Sequence, residues 1–361
     1  MVVNPFTPTF GIIPPYLAGR NKIMQEMVRA FENGIGDPNL SGLFVGPRGC
    51  GKTALLSSIG REAMQHGWIA VNVAAGDGML DDIIQQTYRV ASEYVSSKSP
   101  KKLSGLSIGN IIGFNWDDDG SDKANWRTKI TALLEELNKN NIGLLINVDE
   151  VRADAQEMLT LASTYQLLLT DGMKVALIMA GLPAQVDDLV SNEQISFLRR
   201  AKRRYLGLIP DFEIETAFRK TIDDAGKKIE SDAMKLAVEA SGGYAYMMQL
   251  VGYSIWNESG DRKKITVQDA EYGIHVANED FREGVLRSTV RELSKGDIAF
   301  LKAMLKDGQE SRLADISRRL NKKGGYASTY KSRLLRAGII EETEGGLLRI
   351  AIPGLRGYLT E

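Results

Sequence analysis

Sulfur and imidazole are scarce in this sequence. Cys50 is the only cysteine among 361 residues, and His66 and His275 are the only histidines. A single thiol cannot form an intrachain disulfide, and these three side chains do not form a nitrogen and sulfur cluster for zinc. The composition therefore excludes a disulfide scaffold and argues against a zinc protein.

Long apolar runs and strong net charge are also lacking. No run of about eighteen apolar residues exists, and residues 1–6 lack the basic start and apolar block of a secretion signal. These absences predict a cytoplasmic protein with no membrane partner. The formal net charge is −1, which argues against a chain that binds polyanions over its whole surface.

The chain does contain enough apolar material for a large core. Hydrophobic residues make up 43% of 361 residues, a length that suits two or three domains. Charge is distributed unevenly along the chain, because 291–361 holds fourteen Lys plus Arg against nine Asp plus Glu. The C-terminal fifth is therefore basic on an otherwise acidic protein.

A glycine-rich segment separates an apolar run at 43–45 from a helix-like stretch. It reads Gly46-Pro47-Arg48-Gly49-Cys50-Gly51-Lys52-Thr53-Ala54. Backbone N–H groups can wrap a triphosphate closely only where side chains are absent and positive φ is allowed. In such a loop Lys52 reaches the β and γ phosphates, and Thr53 offers its hydroxyl to Mg²⁺. Residues 46–54 are therefore predicted to bind nucleotide phosphates, although a glycine-rich turn can also be purely structural.

A second motif is an apolar strand-like run that ends in two acids. Residues 144–148 are followed directly by Asp149 and Glu150. Ligands of open parallel sheets gather at the carboxyl ends of the strands, so these acids and the phosphate loop are expected to face one crevice. Asp149 is predicted to hold Mg²⁺, and Glu150 to polarise the water that attacks the γ-phosphate. Two solvated acids after a core strand are the alternative interpretation.

Strand-like and helix-like segments alternate up to residue 210, with a fifth strand expected at 205–209. This alternation predicts an α/β fold, with a parallel sheet covered on both faces. We expect a nucleotide-binding domain over 1–210 that contains an inserted loop or hairpin at about 96–124. Residues 211–290 show only helical patterning and predict a helical lid domain.

The last part of the chain, 291–361, has the pattern of a winged helix. Three short amphipathic segments are followed by two strand-like runs across a glycine turn. The third helix would present Tyr326, Ser328, Thr329, Lys331, Ser332 and Arg333 to a partner. The positive excess favours DNA as that partner, but many winged helices contact proteins instead.

With these motifs in place, the chain resembles the AAA+ superfamily of P-loop ATPases, and within it the origin-initiator clade and its archaeal ATPase relatives. The lead segment at 4–8 and 14–20 looks like the entry motif of that group. The resemblance implies ATP and Mg²⁺ as ligands and places Leu17, Gly19 and Arg20 at the base or ribose. It also implies an arginine finger for a neighbouring subunit, for which Arg200 is the candidate.

Arg199 and Arg203 are substitutes for that finger, and a basic helix end of purely structural meaning fits the same residues. The sequence departs from the superfamily at two further places. The tip of the fourth strand, 179–181, has no polar residue, and the glycine break at 242–247 offers no lid arginine. Nucleotide binding is therefore expected, but fast hydrolysis is not.

Two functions remain open from the sequence. The first is an ATPase with Glu150, Lys52 and Arg200 as catalytic residues, which acts as a nucleotide-dependent switch on DNA and can assemble with copies of itself. The second is a signalling or scaffold module in which ATP is a regulatory ligand and the winged helix binds a protein. A small-molecule kinase is disfavoured, because no acceptor site is evident.

Overall fold

The structure is a computed structural model that describes residues 3–9, 11–97, 122–152, 154–322, 325–343 and 345–361. Most of the insertion predicted at 96–124 lies outside the described residues, as 98–121 are not among them. The flanking residues belong to two helices that end at Ser97 and begin at Asp122.

A five-stranded sheet forms the centre of the α/β part, and all of its strand pairs are parallel. The strand order is β2-β3-β4-β1-β5. This confirms the predicted α/β fold with a parallel sheet. The strands are β1 Ser41–Val45, β2 Trp68–Ala74, β3 Gly143–Asp149, β4 Val175–Gly181 and β5 Lys202–Tyr205.

Alternate side chains of the central strands pack in two apolar layers, one on each face of the sheet. On β1, Leu43 and Val45 belong to one buried cluster and Phe44 belongs to the other. This alternation follows from the two-residue period of a strand, and it explains why the central strands are apolar throughout. The helices that cover the two faces are α1 Asn21–Asn33, α2 Lys52–Gln65, α3 Met79–Ser97, α4 Asp122–Lys139, α5 Gln156–Thr170 and α6 Pro183–Ser191.

The prediction of the fifth strand at 205–209 was wrong, since β5 starts and ends earlier. The apolar residues after β5 form a linker between two cores instead. Leu206 packs in the core of the sheet and donates its N–H to Val45 O at 2.7 Å, whereas Ile209 packs in the next core and donates to Gly243 O at 2.8 Å. The strand itself is polar because it is a sheet edge, paired only with β1 among the described strands.

Residues 211–290, called the helical region below, are mainly helical. The expectation of helices alone was wrong in one respect, because two short strands pair in parallel, β6 Lys228–Ile229 and β7 Lys264–Ile265. The helices are α7 Asp211–Asp224, α8 Ser231–Ser241, α9 Ala245–Glu258, α10 Val267–Phe281 and α11 Arg287–Glu292.

The first part of the lead segment, 4–8, packs on the helical region, whereas Leu17 packs against the core of the sheet. Phe6 is 2% exposed and lies 5.7 Å from Phe218, measured between ring centroids. A Cβ at Gly252 of α9 would lie 2.3 Å from the Phe6 ring, so only glycine lets the ring approach. Asn4 donates to Tyr253 O at 3.0 Å. The lead segment therefore closes one side of the crevice between sheet and helical region.

Residues 291–361, called the C-terminal unit below, contain helices α12 Lys295–Met304, α13 Leu313–Leu320, α14 Tyr326–Arg336 and α15 Leu355–Tyr358, and an antiparallel pair, β8 Ile340–Glu342 and β9 Leu348–Ile350. Its apolar residues join those of the helical region in one continuous buried cluster. Ser294 caps α12 in a reciprocal capping box with Asp297. Within the described part of the chain, no helix combines the length and the apolar character needed to cross a membrane.

Candidate nucleotide site

The glycine-rich segment forms a tight loop at the carboxyl edge of the sheet. It leaves β1 after Val45 and enters α2 at Lys52. Gly49 and Gly51 have φ values of 73° and 90°, a region that only glycine adopts without strain. The N-cap residue of α2 is Gly51, which has no side chain to cap the helix. The first N–H groups of that helix therefore remain available to an anion.

The predicted phosphate and metal residues meet across this edge. Thr53 Oγ1 donates to the Asp149 carboxylate at 2.5 Å, although 96 residues separate the two in sequence. Lys52 Nζ donates to Gly46 O at 2.9 Å and to Pro47 O at 2.8 Å, so it is folded over the loop. A hydroxyl and a carboxylate oxygen in contact are hard ligands that fit Mg²⁺.

Glu150 has an unusual backbone for a residue with a side chain. Its φ is 53°, in the left-handed region, and its N–H donates to Asp149 Oδ1 at 2.9 Å. Glutamate in this conformation is disfavoured, so the surrounding structure has to impose it. Its side chain is exposed at the mouth of the crevice, where a carboxylate can meet water and a phosphate together.

A cleft of about 360 Å³ brings most of the predicted binding residues together. The lead segment, the phosphate loop, the two acids and α9 of the helical region all contribute to its wall. The predicted site residues in that wall are Leu17, Arg20, Arg48, Gly49, Cys50, Gly51, Lys52, Thr53, Ala54, Asp149 and Glu150.

Three predicted binding residues do not line the cleft. Gly46 and Pro47 take part through the carbonyls that accept from Lys52. Gly19 turns the chain with a φ of 68°, and a Cβ there would lie 3.2 Å from Ile209 Cγ2. Gly19 therefore shapes the wall from behind.

Arg20 and Cys50 are both buried at the back of the loop. Arg20 donates to Cys50 O and to Gly207 O, both at 3.3 Å, so it joins the phosphate loop to the linker after β5. Burial lowers the pKa of the Arg20 guanidinium, and burial raises the pKa of the Cys50 thiol. The described hydrogen bonds of Arg20 are thus to backbone, and the Cys50 side chain is a packing group.

Tyr244 and Tyr246, which follow the glycine break, cover the phosphate loop, and neither was among the predicted site residues. The Tyr244 hydroxyl donates to Arg48 O, and the Tyr246 N–H donates to Gly49 O at 3.2 Å. Tyr244 is 5% exposed, and burial raises its pKa. Aromatic residues directly after Gly242-Gly243 were the available signal, but the partner loop lies almost 200 residues earlier.

Arg200 lies away from the cleft of its own chain. It is exposed at the end of the 3₁₀ segment Glu193–Arg200, two residues before β5. Lys202 at the start of β5 pairs with Gly42 near the start of β1, whereas the phosphate loop follows the other end of β1. Arg200 therefore lies at the amino-terminal ends of the strands, opposite the end that carries the phosphate loop.

The two substitutes for Arg200 are engaged within the chain. Arg199 donates to Val190 O at 3.1 Å, and Arg203 forms an ion pair with Asp187 at 2.9 Å.

The tip of β4 lacks a polar group in the structure as well. A Cβ at Gly181 would lie 2.6 Å from Val151 Cγ2, so the valine after the acidic pair fills this place. From α9, the residues that reach the cleft are Ala245, Tyr246, Met248 and Gln249, and none of them is cationic.

The predicted partner-binding face of α14 is only partly free. Ser328, Thr329 and Ser332 are exposed. Lys331 forms an ion pair with Glu342 at 2.8 Å, and Arg333 with the buried Asp297 at 3.1 Å. Two of the cations expected to face DNA thus have acidic partners within the C-terminal unit.

Comparison with known proteins supports the fold. A sequence model named as a domain of unknown function, DUF8462, matches residues 283–359. A Walker-type ATPase of Pyrococcus abyssi is similar over 96% of both chains, with a TM-score of 0.64 and 15% identity. The ORC2 protein of Aeropyrum pernix in its ADP form is similar over 98% of this chain and 96% of its own, with a TM-score of 0.54 and 14% identity. No curated protein matches the sequence.

The structural likeness extends over nearly the whole chain. The chain therefore shares its overall fold with these two proteins, which agrees with the α/β P-loop fold that the sequence predicts.

Proposed function

We propose that this chain binds ATP with Mg²⁺ and hydrolyses it slowly, as a nucleotide-dependent switch. The observation that carries the proposal is the contact between Thr53 and Asp149 beside Lys52, within a cleft closed by the helical region. An AAA+ fold makes ATP the appropriate nucleotide. The site supplies a cation, a metal-ligating pair and a free helix N-terminus, which is what phosphoryl transfer needs.

Each residue has a defined role in this proposal. The N–H groups at 48–54 hold the phosphates, and Lys52 leaves the loop carbonyls to contact the β and γ phosphates. Thr53 and Asp149 would hold Mg²⁺, and the bound ion would neutralise phosphate charge. Glu150 accepts a proton from the attacking water. Leu17, Arg20 and Gly19 shape the wall of the base pocket.

Lys52→Ala is expected to weaken ATP binding at least about tenfold, because a charge-assisted contact to phosphate is lost. Titration calorimetry with ATP and Mg²⁺ measures the dissociation constant directly. Lys139→Ala is the matched control, since Lys139 is an exposed lysine that pairs with Glu136 and lies outside the cleft. Equal affinities for the wild type and Lys52→Ala would reject the nucleotide site.

Slow turnover follows from what the cleft lacks. No polar side chain at the tip of β4 orients water, and the described residues of α9 bring no cation to the phosphates. A contribution from Arg200 requires a second copy of the chain, because it lies on the opposite edge from its own phosphate loop. We therefore propose that assembly of copies accelerates hydrolysis.

The proposed switch depends on the buried core that the helical region shares with the C-terminal unit. The helical region and the C-terminal unit share one apolar cluster, and Tyr244 and Tyr246 attach the helical region to the phosphate loop. A nucleotide in the cleft therefore changes the contacts between the phosphate loop and the helical region, and the C-terminal unit moves with the helical region. The linker at 206–210 is the place where these two parts can rotate together against the sheet.

We further propose that the C-terminal unit is a winged helix and that it contacts DNA. Arg312 and Lys322 are exposed cations without an ion-pair partner among the described residues, and both flank α13. A protein partner is the second candidate, favoured by the internal ion pairs of Lys331 and Arg333. Both candidates predict a free face on α14.

Salt dependence separates DNA from a protein partner. If the winged helix binds duplex DNA, its affinity should fall at least about tenfold between about 50 and 200 mM salt, because phosphate contacts release counterions. Fluorescence anisotropy with labelled duplex measures this slope. Lys322→Ala should reduce the slope, whereas Lys139→Ala should not. Weak binding that does not respond to salt would favour the protein partner.

A further inference from the structure

A second cavity lies beside the nucleotide cleft. Its volume is about 730 Å³, and Arg48, Lys52 and Glu150 line both spaces. The lead segment and α9 line only the smaller cleft, where the base and ribose belong in the proposed function. In the proposed function, the larger cavity therefore adjoins the cleft at the residues expected to contact the terminal phosphate.

The C-terminal unit closes this cavity with one residue. Among the described residues that line it, Arg336 is the one from 291–361, and it is the last residue of α14. Leu182 of the opposite wall supports this position, since a Cβ at Gly338 would lie 3.0 Å from Leu182 Cδ2. The close approach of Gly338 to Leu182 sets the end of α14 against the start of α6.

The guanidinium of Arg336 is held loosely. Its Nε contacts Asp188 Oδ2 at 3.1 Å, and 64% of its side chain is exposed. An arginine has five N–H donors, and only this contact is described. Arg336 thus has donors to spare for a second anion.

Asp154, the other acid near Arg336 in this cavity, is already paired with Arg152. Arg152 contacts Asp154 at 3.0 Å, and the hydrogen bond from Arg152 holds the pKa of the Asp154 carboxyl below its usual range, with a smaller contribution from the charge of Arg336. Asp188 is therefore the acid that holds Arg336, and an exposed single contact of this kind is weak. An incoming phosphate with two negative oxygens can replace it with a bidentate contact.

We infer that Arg336 of the C-terminal unit binds the terminal phosphate of the nucleotide in its own chain. The inference rests on the proposed function and deepens it, because it names the cation that the β4 tip and α9 do not supply. Arg336 exchanges Asp188 for the γ-phosphate when a triphosphate is bound and returns to Asp188 with a diphosphate. The contacts of α14 in the C-terminal unit then differ between the triphosphate-bound and the diphosphate-bound protein.

The test compares triphosphate and diphosphate affinities in the full chain. The probes are the β,γ-imido analogue of ATP and ADP, each with Mg²⁺, titrated by calorimetry into the wild type, Arg336→Ala and Arg336→Lys. Arg318→Ala is the matched control, because Arg318 is an exposed arginine of the same unit that pairs with Asp315 and lines neither cavity.

Arg336→Ala is expected to lower the triphosphate affinity about tenfold and to leave the diphosphate affinity within about twofold. Arg336→Lys should fall between, since lysine keeps the charge without the bidentate fork. Arg318→Ala should match the wild type. If Arg336→Ala does not fold, the ratio of the two affinities in Arg336→Lys decides the question.

An unchanged affinity ratio in Arg336→Ala, or an equal loss for both nucleotides, would overturn the inference and leave the proposed function intact. A wild type that binds neither nucleotide would instead overturn the proposed function and the inference with it. Where the wild type does bind, Lys52→Ala checks that the binding takes place in this cleft, because it should lower both affinities.

Discussion

Glu150→Gln is expected to lower ATP turnover at least about 100-fold while ATP affinity stays within about twofold. Glutamine keeps the size of the side chain and its exposed position, but it cannot accept a proton from water. The left-handed backbone is retained, because it depends on the turn after β3 and on the N–H bond to Asp149. Phosphate release assays at several protein concentrations measure turnover, and calorimetry measures affinity.

Glu93→Gln is the control for this substitution. Glu93 is an exposed acid on α3 that pairs with Arg89 at 3.1 Å and lines neither cavity. Its replacement should change neither turnover nor affinity. Turnover by Glu150→Gln equal to that of the wild type would show that Glu150 is not the base and would favour the regulatory interpretation of nucleotide binding.

Gly49→Ala is expected to destabilise the protein and to weaken nucleotide binding together. The φ of 73° costs an alanine about 1–2 kcal/mol. A Cβ at Gly49 would also lie 2.1 Å from the Tyr244 hydroxyl oxygen, and displacing this buried ring costs about 1–3 kcal/mol more. Denaturant unfolding gives the loss of free energy, and ATP titration gives the loss of affinity.

Gly172→Ala separates the two contributions in Gly49→Ala. Gly172 has a φ of 72°, almost the same as Gly49, but no atom lies within 4 Å of a Cβ placed there. It should therefore lose only the backbone contribution and keep its nucleotide affinity. Equal destabilisation of the two variants would mean that Tyr244 does not press on the phosphate loop.

The parts of the site that could be predicted are those with a local pattern. The phosphate loop is one continuous stretch, 46–54, and the two acids are neighbours at 149–150. Each motif lies at the carboxyl end of an apolar strand, so parallel pairing brings both motifs to the same end of the sheet. The roles assigned to these residues stay predictions until they are tested. The lead residues came from resemblance alone, and the structure shows that Gly19 supports the cleft wall from behind.

The fifth strand shows why a local pattern can fail. Residues 205–209 form a short apolar run like that of a buried strand, but Leu206 and Ile209 are buried in two different cores that the linker connects. The actual strand at 202–205 is polar because it is an edge, and its hydrogen bonds to β1 leave no mark in the sequence.

The sequence by itself determined the α/β fold, the phosphate loop and the acidic pair, because short-range periodicity and backbone freedom specify them. Only the tertiary structure decided what closes the site. Three contacts between residues far apart in the chain close it: Phe6 with Gly252, Tyr244 with Gly49, and Arg336 with Asp188. Such contacts depend on how two separate cores meet, and that geometry has no periodic signal in the sequence.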